Sequence, residues 1–511
     1  MPDPAPSALR PSVTPATSVA ALATAVGARL LGDDVTVHGV EQRSNAVRPG
    51  DLFAALPGSK SHGATFVAAA VAAGAVALLT DDDGIEISGD PTIPVLLHAD
   101  PRAVLGEISA TVYGHPSRHM QVIGVTGTSG KTTTSYLIEA ALEAAGRKPG
   151  LIGTIETRIH RQRIPSALTT PEAPQLHALF AAMLEQGADC VVMEVSSHAL
   201  ALGRVDGTRF DVGAFTNLSQ DHLDFHPTLD DYFAAKARLF DPASPVHAAR
   251  AVICIDDEWG RRMADLAAPR VSTVATSTEA DWTAGDLAAR DDGGQEFVIH
   301  PPSAPPIPTR LGLPGPYNVA NALLAVATCA ATGVDPGTAA AALAEVAVPG
   351  RVQRIDRGQP FLAIVDYAHK PAALEAVIAT LRAHAKGRIG VVVGAGGDRD
   401  TGKRAVMGEV GARAADLLVI TDDNPRSEDP ATIRAALLAG ADAVPAPRRS
   451  EVREIGDRAA AIEAAVAWAR PGDVVLVAGK GHETGQEIAG VKHPFDDREV
   501  LARALQSVVG P

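Results

Sequence analysis

The segment GVTGTSGKTTT, residues 124–134, joins an apolar strand to a helix through a glycine-rich turn. Glycines let backbone N–H groups approach phosphate oxygens, and the start of a helix adds positive potential. Lys131 adds a cation between phosphates, and Thr132 can reach a magnesium ion. The segment therefore predicts a nucleoside triphosphate site. Val125 stands at the first glycine position of the general P-loop pattern, which disfavours a standard GTPase or motor protein.

Outward from this segment, apolar strands alternate with helical stretches. Residues 190–195 and 251–255 are predicted strands, and residues 134–145 are a predicted helix. This alternation is typical of βαβ crossovers and a mainly parallel sheet. Towards the C-terminus, helices separate four more predicted strands at residues 361–365, 389–393, 417–421 and 474–478. The expected fold class is α/β, with a central P-loop-type ATPase domain on a mainly parallel sheet and a doubly wound C-terminal domain.

The chain has 511 residues, enough for three or four domains of about 150 residues each. Polar residues 113–118 interrupt the periodicity, and a second break falls at Pro349-Gly350. Residues 281–310 are rich in Pro, Gly and Asp, and we expect an irregular hairpin there. The predicted domains are residues 1–116, 117–349 and 350–511.

Composition and charge exclude several classes of function. Asp and Glu number 60 against 45 Lys and Arg, and the net charge of −15 disfavours general nucleic-acid binding. The longest uncharged stretch, residues 66–79, is too short to cross a bilayer and predicts a helix followed by a buried strand. Cys190, Cys254 and Cys329 are widely spaced, which predicts reduced thiols rather than disulfides or a zinc site. The first residues lack a secretory signal pattern, so we expect a frayed N-terminal tail, a cytoplasmic protein and no membrane insertion.

Four more motifs follow the glycine-rich segment in order. They are EVSSH at 194–198, TNLSQDHLD at 216–224, GPYN at 315–318 and DYAH at 366–369. Together with GTSGKTTT, these motifs resemble the Mur ligase family of ATP-dependent amide-forming enzymes. Their order and spacing cover most of the chain from residue 120 onward. The resemblance implies three domains, which would recognise uridine, ATP and an incoming amino acid.

Three candidate residues have ordinary alternatives when taken alone. Glu194 ends an apolar strand, where a carboxylate can coordinate magnesium or simply lie at the surface. His222 in DHLD is typical of a structural histidine, and Lys236 is typical of an exposed helical lysine. The resemblance implies that His222 helps to hold a second magnesium ion and that Lys236 is carbamylated into a carboxylate-like ligand. It implies catalytic roles for Lys131, Glu194, His222 and Lys236, and metal contacts from Thr132, Glu194, His222 and Lys236.

The resemblance also implies two sets of substrate contacts. Asn318 alone could be a turn residue after Gly-Pro, but its motif matches a nucleotide contact. The implied ATP contacts are Gly127, Thr128, Ser129, Gly130, Lys131, Thr132, Thr133, Asn318, Arg351 and Asp366. The implied contacts of the UDP-sugar-peptide are Ser44, Thr169, Thr170, Ser196 and Arg204. Around Ser44 the sequence is Arg-Ser-Asn, where many relatives have Asp-Ser-Arg.

Three polar loops follow predicted strands of the C-terminal domain: GGDRD at 396–400, DNPR at 423–426 and GKGHE at 479–483. Ligands of open α/β sheets bind beyond the carboxyl ends of the strands, so these loops could form one site. DNPR alone could be an ordinary Asn-Pro turn. Within the family, DNPR resembles the signature of enzymes that add meso-2,6-diaminopimelate to UDP-N-acetylmuramoyl-L-alanyl-D-glutamate. Lysine-adding relatives lack this arginine.

The presence of an arginine in DNPR has a physical reason. Diaminopimelate carries a second carboxylate that a guanidinium can bind through two parallel hydrogen bonds, and lysine would leave those donors unpaired. The implied contacts of the amino acid are Arg399, Asp423, Asn424, Pro425, Arg426, Gly479 and Glu483. The implied activity is a cytoplasmic step of peptidoglycan precursor synthesis by a monomer that uses ATP and Mg²⁺. The alternatives are a folylpolyglutamate-type ligase, which shares the ATP core, and an inactive nucleotide-binding regulator.

Overall fold

The strand Gln121–Thr126, which precedes the glycine-rich turn, lies inside a mostly parallel sheet. Its parallel neighbours are Cys190–Glu194 and Val212–Phe215. The computed structural model describes residues 9–58, 61–89, 91–159, 162–166, 168–267, 270–290 and 294–509, so the predicted N-terminal tail lies largely outside the described residues. From one edge, the first nine strands come in the order Gln162–Pro165, Glu156–Ile159, Pro149–Ile152, Cys190–Glu194, Gln121–Thr126, Val212–Phe215, Arg250–Cys254, Val271–Ala275 and Trp282–Ala289.

Helices connect these strands and cover their apolar faces, as parallel sheets require. The helix after the glycine-rich turn begins at Lys131, three residues before the predicted start, because Gly130 adopts φ 89° and turns the chain directly into the helix. The helices of this part of the chain are Lys131–Ala144, Ala173–Glu185, Ser197–Ala201, Leu229–Ala237, Glu258–Ala267, Pro316–Ala331 and Pro336–Ala341.

Residues 281–310 are more regular than the sequence suggested. Instead of an irregular hairpin they contain the strand Trp282–Ala289, the strand Gln295–His300 and the start of the strand Ile307–Leu311. Alternate residues such as Phe297 and Ile299 are buried, which is the pattern of a strand with one covered face. The prolines that suggested irregular structure lie mainly in the links between strands.

A smaller sheet precedes the phosphate-loop strand. Its strand order is Arg29–Leu31, Val95–Leu97, Ala77–Thr80, Asp51–Ala54 and Gly39–Glu41. Residues 66–79 contain the helix Val67–Ala72 and the beginning of a buried strand, as predicted. The accompanying helices are Val19–Val26, Val67–Ala72, Asp82–Ser88 and Pro101–Val112, and two short strands, Thr17–Ser18 and Thr36–Val37, pair with each other.

The C-terminal sheet has six strands and helices on both faces. Its strand order is Gln353–Arg354, Leu362–Asp366, Val474–Ala478, Ile389–Val393, Leu417–Ile420 and Glu451–Glu454. Val391 and Val393 pack in one core with helices Pro371–His384, Gly402–Ala414 and Pro430–Asp442. Val392 packs in the other core with helices Arg458–Trp468 and Asp497–Val509. This two-sided arrangement confirms the doubly wound prediction.

Contacts between residues divide the chain into two units. The first comprises residues up to Thr283 with Ile299–Ile307 and Ala320–Ala342, and the second comprises Ala284–Val298, Pro308–Val319 and the chain from Leu343 onward. The three cysteines are buried and free, as predicted. Within the described residues, no helix is both long and apolar enough to cross a membrane. The three domain boundaries remain predictions.

Candidate active site

The glycine-rich turn is shaped by two glycines in the left-handed region. Gly127 has φ 144° and Gly130 has φ 89°, conformations that other residues rarely adopt. A side chain at Gly127 would collide with Thr216, and one at Gly130 would collide with Asn321. Both positions therefore require glycine for backbone conformation and for space.

Polar contacts within the protein hold this turn in place. Lys131 Nζ donates to the carbonyl oxygens of Gly127 at 2.9 Å and Thr128 at 3.0 Å. Ser129 N donates to Asn217 Oδ1 at 3.0 Å, and Asn217 Nδ2 donates back to Ser129 O at 3.1 Å. A loop that is already ordered loses less conformational entropy when it binds a phosphate chain.

Thr132 and Glu194 form the hard-oxygen pair that the sequence predicted. Thr132 Oγ1 lies 3.0 Å from each carboxylate oxygen of Glu194, which is buried at the end of its strand. Thr154 holds the same carboxylate, through its backbone N–H at 2.8 Å and its hydroxyl at 3.1 Å. The structure thus rejects the surface alternative for Glu194.

Lys236 is buried rather than exposed, with 1% of its surface accessible. Its Nζ donates to Gly127 O at 2.8 Å and lies 4.5 Å from the centre of the Tyr232 ring. The Tyr232 hydroxyl lies 3.2 Å from Thr128 Oγ1, so Lys236 and Tyr232 both adjoin the phosphate loop. His222 lies near the same tyrosine, with ring centres 6.1 Å apart. These contacts remove the exposed-lysine alternative.

His222 has an unusual backbone. Its φ is 52°, in the left-handed region, and its imidazole Nε2 lies 3.2 Å from Asp221 Oδ2. Positive φ in a non-glycine residue is concentrated at functional sites. The imidazole is 45% exposed and packs edge-on against the His198 ring, with ring centres 4.8 Å apart.

The oxygen donors near the phosphate loop suit magnesium. Among the described residues, no group of three or more His, Cys, Asp or Glu side chains could hold a metal. Magnesium is usually bound by one or two carboxylates together with substrate phosphates and water, rather than by a cage of protein ligands. Glu194 and Thr132, adjacent to the glycine-rich turn, would supply the protein part of such a set.

The threonines assigned to the sugar-peptide adjoin Glu194. Thr170 Oγ1 donates to Glu194 O at 2.8 Å and accepts from Ser196 N at 3.0 Å. Thr169 Oγ1 lies 3.0 Å from Thr154 Oγ1, which also binds the Glu194 carboxylate. Arg204 pairs with Glu172 at 2.8 Å. The structure therefore brings Thr169, Thr170 and Ser196 together beside the magnesium candidate.

Ser44 lies in the 3-10 turn Ser44–Ala46, and a buried carboxylate anchors the approach to this turn. Glu41, 1% exposed, accepts hydrogen bonds from the backbone N–H groups of Gln42 at 3.0 Å and Arg43 at 3.1 Å. Gln175 Nε2 also donates to Glu41 at 2.8 Å. The atypical Arg43 is therefore engaged with Glu41, and the uridine contacts of Ser44 stay a prediction.

Three predicted nucleotide residues lie in the second unit. Asn318 Nδ2 donates to Pro314 O at 2.7 Å at the start of its helix. The Asp366 carboxylate accepts from the N–H groups of Val352 and Ala368, each at 2.7 Å. Burial raises the pKa of Asp366, and the nearby Arg351 charge opposes that rise. Val352 has φ 43°, which is strained for a β-branched residue.

Arg351 begins a stack of side chains in the same unit. Its guanidinium lies 4.4 Å from the centre of the Tyr367 ring, and the His482 ring lies 5.0 Å from that ring. Burial and then the charges of Arg351 and Arg498 lower the pKa of His482 to about 3. Burial also lowers the pKa of His369, which adjoins Tyr367, to about 4. Both imidazoles are therefore neutral at neutral pH.

The loops at 423–426 and 479–483 form one hydrogen-bonded cluster. Asn424 Nδ2 donates to Glu483 Oε2 at 2.8 Å. Lys480 Nζ donates to Asn424 Oδ1 at 2.9 Å and lies 3.8 Å from Asp423 Oδ1. Gly479, with φ 116°, lets this backbone pass close to the Asp423 carboxylate. The predicted convergence of these two loops is present in the structure.

Arg426 is held on three sides. Its backbone has φ 53° and bridges to Ile488 of the hairpin formed by Gly485–Ile488 and Val491–Pro494. Its Nη1 donates to Gly397 O at 2.6 Å, and its Nε lies 3.3 Å from Glu487 Oε2. A guanidinium has five N–H donors, so these contacts orient it and leave donors for a carboxylate. DNPR is thus more than an ordinary turn with an exposed arginine.

Two other predicted residues are placed differently. The carbonyl oxygen of Pro425 packs against Gly397, so a side chain at Gly397 would collide with this oxygen. Arg399 is exposed in the third loop, and among the contacts of the described residues none joins it to the Asn424 and Glu483 cluster. Its role in binding an amino acid stays a prediction.

The sequence analysis missed several polar residues at these sites. Thr154 holds the Glu194 carboxylate, Asn217 holds the glycine-rich turn, and Asn321 packs against Gly130. Lys480 is fully buried among the loops at 423–426 and 479–483. A signal existed for Lys480 and Asn217, since both occur in the quoted motifs. Thr154 and Asn321 are ordinary residues in the sequence and become visible only through their contacts.

A strand, a glycine turn and a helix, with a carboxylate beside the first helical threonine, define the class of P-loop nucleotide-binding α/β proteins. Family models then match three parts of the chain: residues 36–113 match "Mur ligase family, catalytic domain", residues 125–329 match "Mur ligase middle domain" and residues 350–481 match "Mur ligase, glutamate ligase domain". The chain belongs to the Mur ligase family.

Similar proteins extend over nearly the whole chain. The UDP-N-acetylmuramoyl-L-alanyl-D-glutamate--2,6-diaminopimelate ligase of Corynebacterium efficiens is 56% identical over 494 residues, covering 95% of this chain and 94% of the relative. The ligase of the same name from Streptomyces avermitilis is 52% identical, covering 98% and 99%. A solved structure of a ligase of this name has a TM-score of 0.68 and 32% identity, covering 97% of this chain and 100% of that one.

Proposed function

We propose that this protein is an ATP-dependent ligase that adds meso-2,6-diaminopimelate to UDP-N-acetylmuramoyl-L-alanyl-D-glutamate. The observation that carries the proposal is the contact of Thr132 with both oxygens of Glu194 beside an ordered phosphate loop. The relatives named for this reaction support it, since they match more than nine-tenths of the chain. We further propose residues 1–116, 117–349 and 350–511 as the uridine, ATP and amino-acid domains.

In the first step, the γ-phosphoryl group of ATP passes to the D-glutamyl γ-carboxylate, which gives an acyl phosphate and ADP. The backbone N–H groups of the turn and the Lys131 ammonium would stabilise the charge on the transferring group. Magnesium bound through Thr132 and Glu194 would supply further positive charge at the phosphates. The proposed additional metal contacts are His222 and the carbamate of Lys236, and the proposed ATP contacts in the second unit are Asn318, Arg351 and Asp366.

In the second step, a neutral amino group of diaminopimelate attacks the acyl carbonyl. The resulting tetrahedral intermediate expels inorganic phosphate, and the amide remains after the nitrogen loses its proton. Asn424 and Glu483, which are hydrogen-bonded to each other, would contact the incoming amino acid, and Arg426 would bind its second carboxylate. Orientation by these groups replaces a bimolecular encounter with a positioned attack.

The sugar-peptide substrate would be bound by Ser44, Thr169, Thr170, Ser196 and Arg204. The support for this assignment is that Thr169, Thr170 and Ser196 form one hydrogen-bonded group around Glu194. A substrate carboxylate held there would lie next to the phosphate loop, as the first step requires. We also propose a cytoplasmic monomer, which light scattering after size-exclusion chromatography would test.

The test is phosphate release by the purified protein with Mg-ATP and the UDP-sugar-peptide. Reactions with meso-diaminopimelate, L-lysine and no amino acid are compared. We expect release with diaminopimelate and at least about 10³-fold less with lysine, because lysine leaves the arginine unpaired. Preference for lysine would refute the amino-acid assignment and keep the ligase.

Two rival functions give different outcomes in the same assay. A folylpolyglutamate-type ligase would release phosphate with a folate and glutamate and would ignore the UDP-sugar-peptide. An inactive regulator would bind ATP without any amino-acid-dependent release of phosphate.

A further inference from the structure

Lys480 is a buried cation among the residues proposed to bind the amino acid. It follows the strand Val474–Ala478, between Gly479 and Gly481, and has 0% of its surface exposed. Lysine is almost never fully buried unless it is paired, because removing an ammonium from water is unfavourable without compensating hydrogen bonds. Its partners therefore indicate why it is there.

Within the described residues, the three polar partners of this ammonium all belong to the loops at 423–426 and 479–483, which we call the amino-acid loops. Lys480 Nζ lies 2.9 Å from Asn424 Oδ1, 3.3 Å from Glu483 Oε2 and 3.8 Å from Asp423 Oδ1. One cation thus lies beneath two carboxylates and an amide. Without it, two negative charges would adjoin each other in a poorly solvated place.

These contacts select one orientation of the Asn424 amide. Its Oδ1 accepts from both Lys480 Nζ and Glu487 N, each at 2.9 Å, so its Nδ2 is directed to Glu483 Oε2 at 2.8 Å. The flipped amide would place its N–H₂ group against two donors and its oxygen against a carboxylate. The amide therefore presents a defined donor and acceptor pattern.

The same contacts orient Glu483. Lys480 and Asn424 both use the Oε2 oxygen of Glu483. Among the described contacts, this leaves Oε1 as the oxygen able to accept from a ligand ammonium group. A carboxylate fixed through one oxygen offers the other in a constant position.

We propose that Lys480 is a positioning residue for the incoming amino acid, acting through Asn424 and Glu483 rather than by touching the reacting atoms. The inference rests on the proposed function and deepens it. It implies that the ammonium at this position sets the affinity for the amino acid and leaves phosphoryl transfer from ATP unaffected.

A different residue, Arg458, supports the fold next to Lys480. The strand end next to Lys480 is independently held by Arg458, whose Nη2 donates to Ala478 O at 2.9 Å and whose guanidinium pairs with Asp497. The loop therefore keeps an anchor when Lys480 is replaced. We expect Lys480→Met, which keeps the length of the side chain and removes its charge, to fold.

The experiment compares the wild type, Lys480→Met, Lys480→Arg and the exposed control Lys386→Met. For Lys480→Met we expect the KM for diaminopimelate to rise roughly 10- to 100-fold, the loss associated with a charged hydrogen bond. The KM values for ATP and the UDP-sugar-peptide should change less than about twofold. Hydroxylamine trapping should show that acyl phosphate still forms. Lys480→Arg should recover part of the affinity, and Lys386→Met should match the wild type.

A double-mutant cycle with Glu483→Gln tests the mode of action. If Lys480 acts through Glu483, the combined effect on KM should be well below the product of the single effects. An unchanged KM for diaminopimelate in Lys480→Met, independent single effects, or equal rises in all three KM values would overturn the proposal. If Lys480→Met does not fold, Lys480→Gln, which also removes the charge, takes its place, and an unchanged KM for diaminopimelate in that variant overturns the proposal.

Failure of the proposed function would be visible separately. If the wild type uses L-lysine, the same KM comparison is made with L-lysine, because Asn424 and Glu483 would still be the contacts under test. If no amino acid stimulates the wild type, the proposed function fails, and a crystal structure of Lys480→Met decides the inference. Unmoved Asn424 and Glu483 side chains in that structure would overturn it, and a reoriented pair would support it.

Discussion

The phosphate loop and the amino-acid loops differ in how they are held. Residues 127–133 are contiguous, and hydrogen bonds with Thr216, Asn217 and the Lys131 and Lys236 ammonium groups keep the loop in place. The proposed amino-acid site combines separate loops, and buried ion pairs lie beneath it, including those of Lys480 and the Arg458–Asp497 pair. The first site is therefore one continuous loop whose partners come from elsewhere in the chain. The second has no such continuous loop and depends on paired charges that are costly to leave unpaired.

The largest effect is expected at the phosphate loop, at Lys236. Lys236→Arg keeps the cation and cannot carry the proposed carbamate, so activity should fall at least roughly 10³-fold, as expected for loss of a metal-bridging anion. Exposed Lys148→Arg is the matched control. Phosphate release is measured, and ¹³C NMR of protein treated with labelled CO₂ reports the carbamate. Full activity of Lys236→Arg would show that the residue acts as a cation.

The second effect tests the buried charges directly. Arg458 and Asp497 are both fully buried, with bonds of 2.8 and 2.7 Å between them. Removing one partner leaves an unpaired buried charge, so Arg458→Met should lower the free energy of unfolding by about 4 kcal/mol. The exposed pair of Arg413 and Glu375 is the control, and Arg413→Met should cost less than about 1 kcal/mol. Equal losses in urea unfolding would remove the contrast between the two sites.

The third effect concerns the choice of amino acid. Arg426→Ala should lower kcat/KM for diaminopimelate about 100-fold and raise kcat/KM for L-lysine about 10-fold, because diaminopimelate loses the partner of its distant carboxylate and lysine no longer leaves a guanidinium unpaired. Arg399→Ala, at the exposed predicted contact, gives the comparison within the same domain. A larger loss for Arg399→Ala than for Arg426→Ala would mean that the third loop, not DNPR, recognises the substrate.

The smallest effect is a pH dependence of the free energy of unfolding, which comes from His482 in the second unit. The pKa of His482 is about 3 in the folded protein, against about 6.5 when unfolded. The unfolded chain therefore binds the proton first, so this contribution to stability is present above pH 6.5 and is lost as pH falls towards 3. Between pH 6.5 and 5 we expect a loss of about 1 to 2 kcal/mol in urea unfolding. His482→Phe keeps an aromatic ring beside Tyr367 and should lose less stability over this pH range than the wild type. An equal loss in the variant would contradict the assignment of the pH dependence to His482.

Much of the fold could be predicted because its signals are local. The strands Ile389–Val393 and Val474–Ala478 were predicted to the residue, since apolar β-branched runs between polar loops are strong signals. The region 281–310 was predicted less well, because its prolines suggested irregular structure while alternate burial of its side chains stabilises strands.

In the candidate site too, residues with a local sequence signal were predicted and the others were not. Thr132 and Glu194 were predicted from a glycine turn and a strand end, and the structure places them 3.0 Å apart. Nothing local distinguishes a buried lysine from an exposed one, so Lys236 and Lys480 could not be recognised by pattern alone. Their burial depends on Gly127 and Asn424, which come from other segments.

By itself, the sequence determined the α/β class, the position of the phosphate loop and the resemblance to one ligase family, because each depends on short contiguous patterns. Only the tertiary structure decided which charges are buried, how the Asn424 amide is oriented and which oxygens surround Glu194. The physical reason is that desolvation and hydrogen-bond pairing depend on neighbours in space. Those neighbours are supplied by chain segments that the sequence separates by tens of residues.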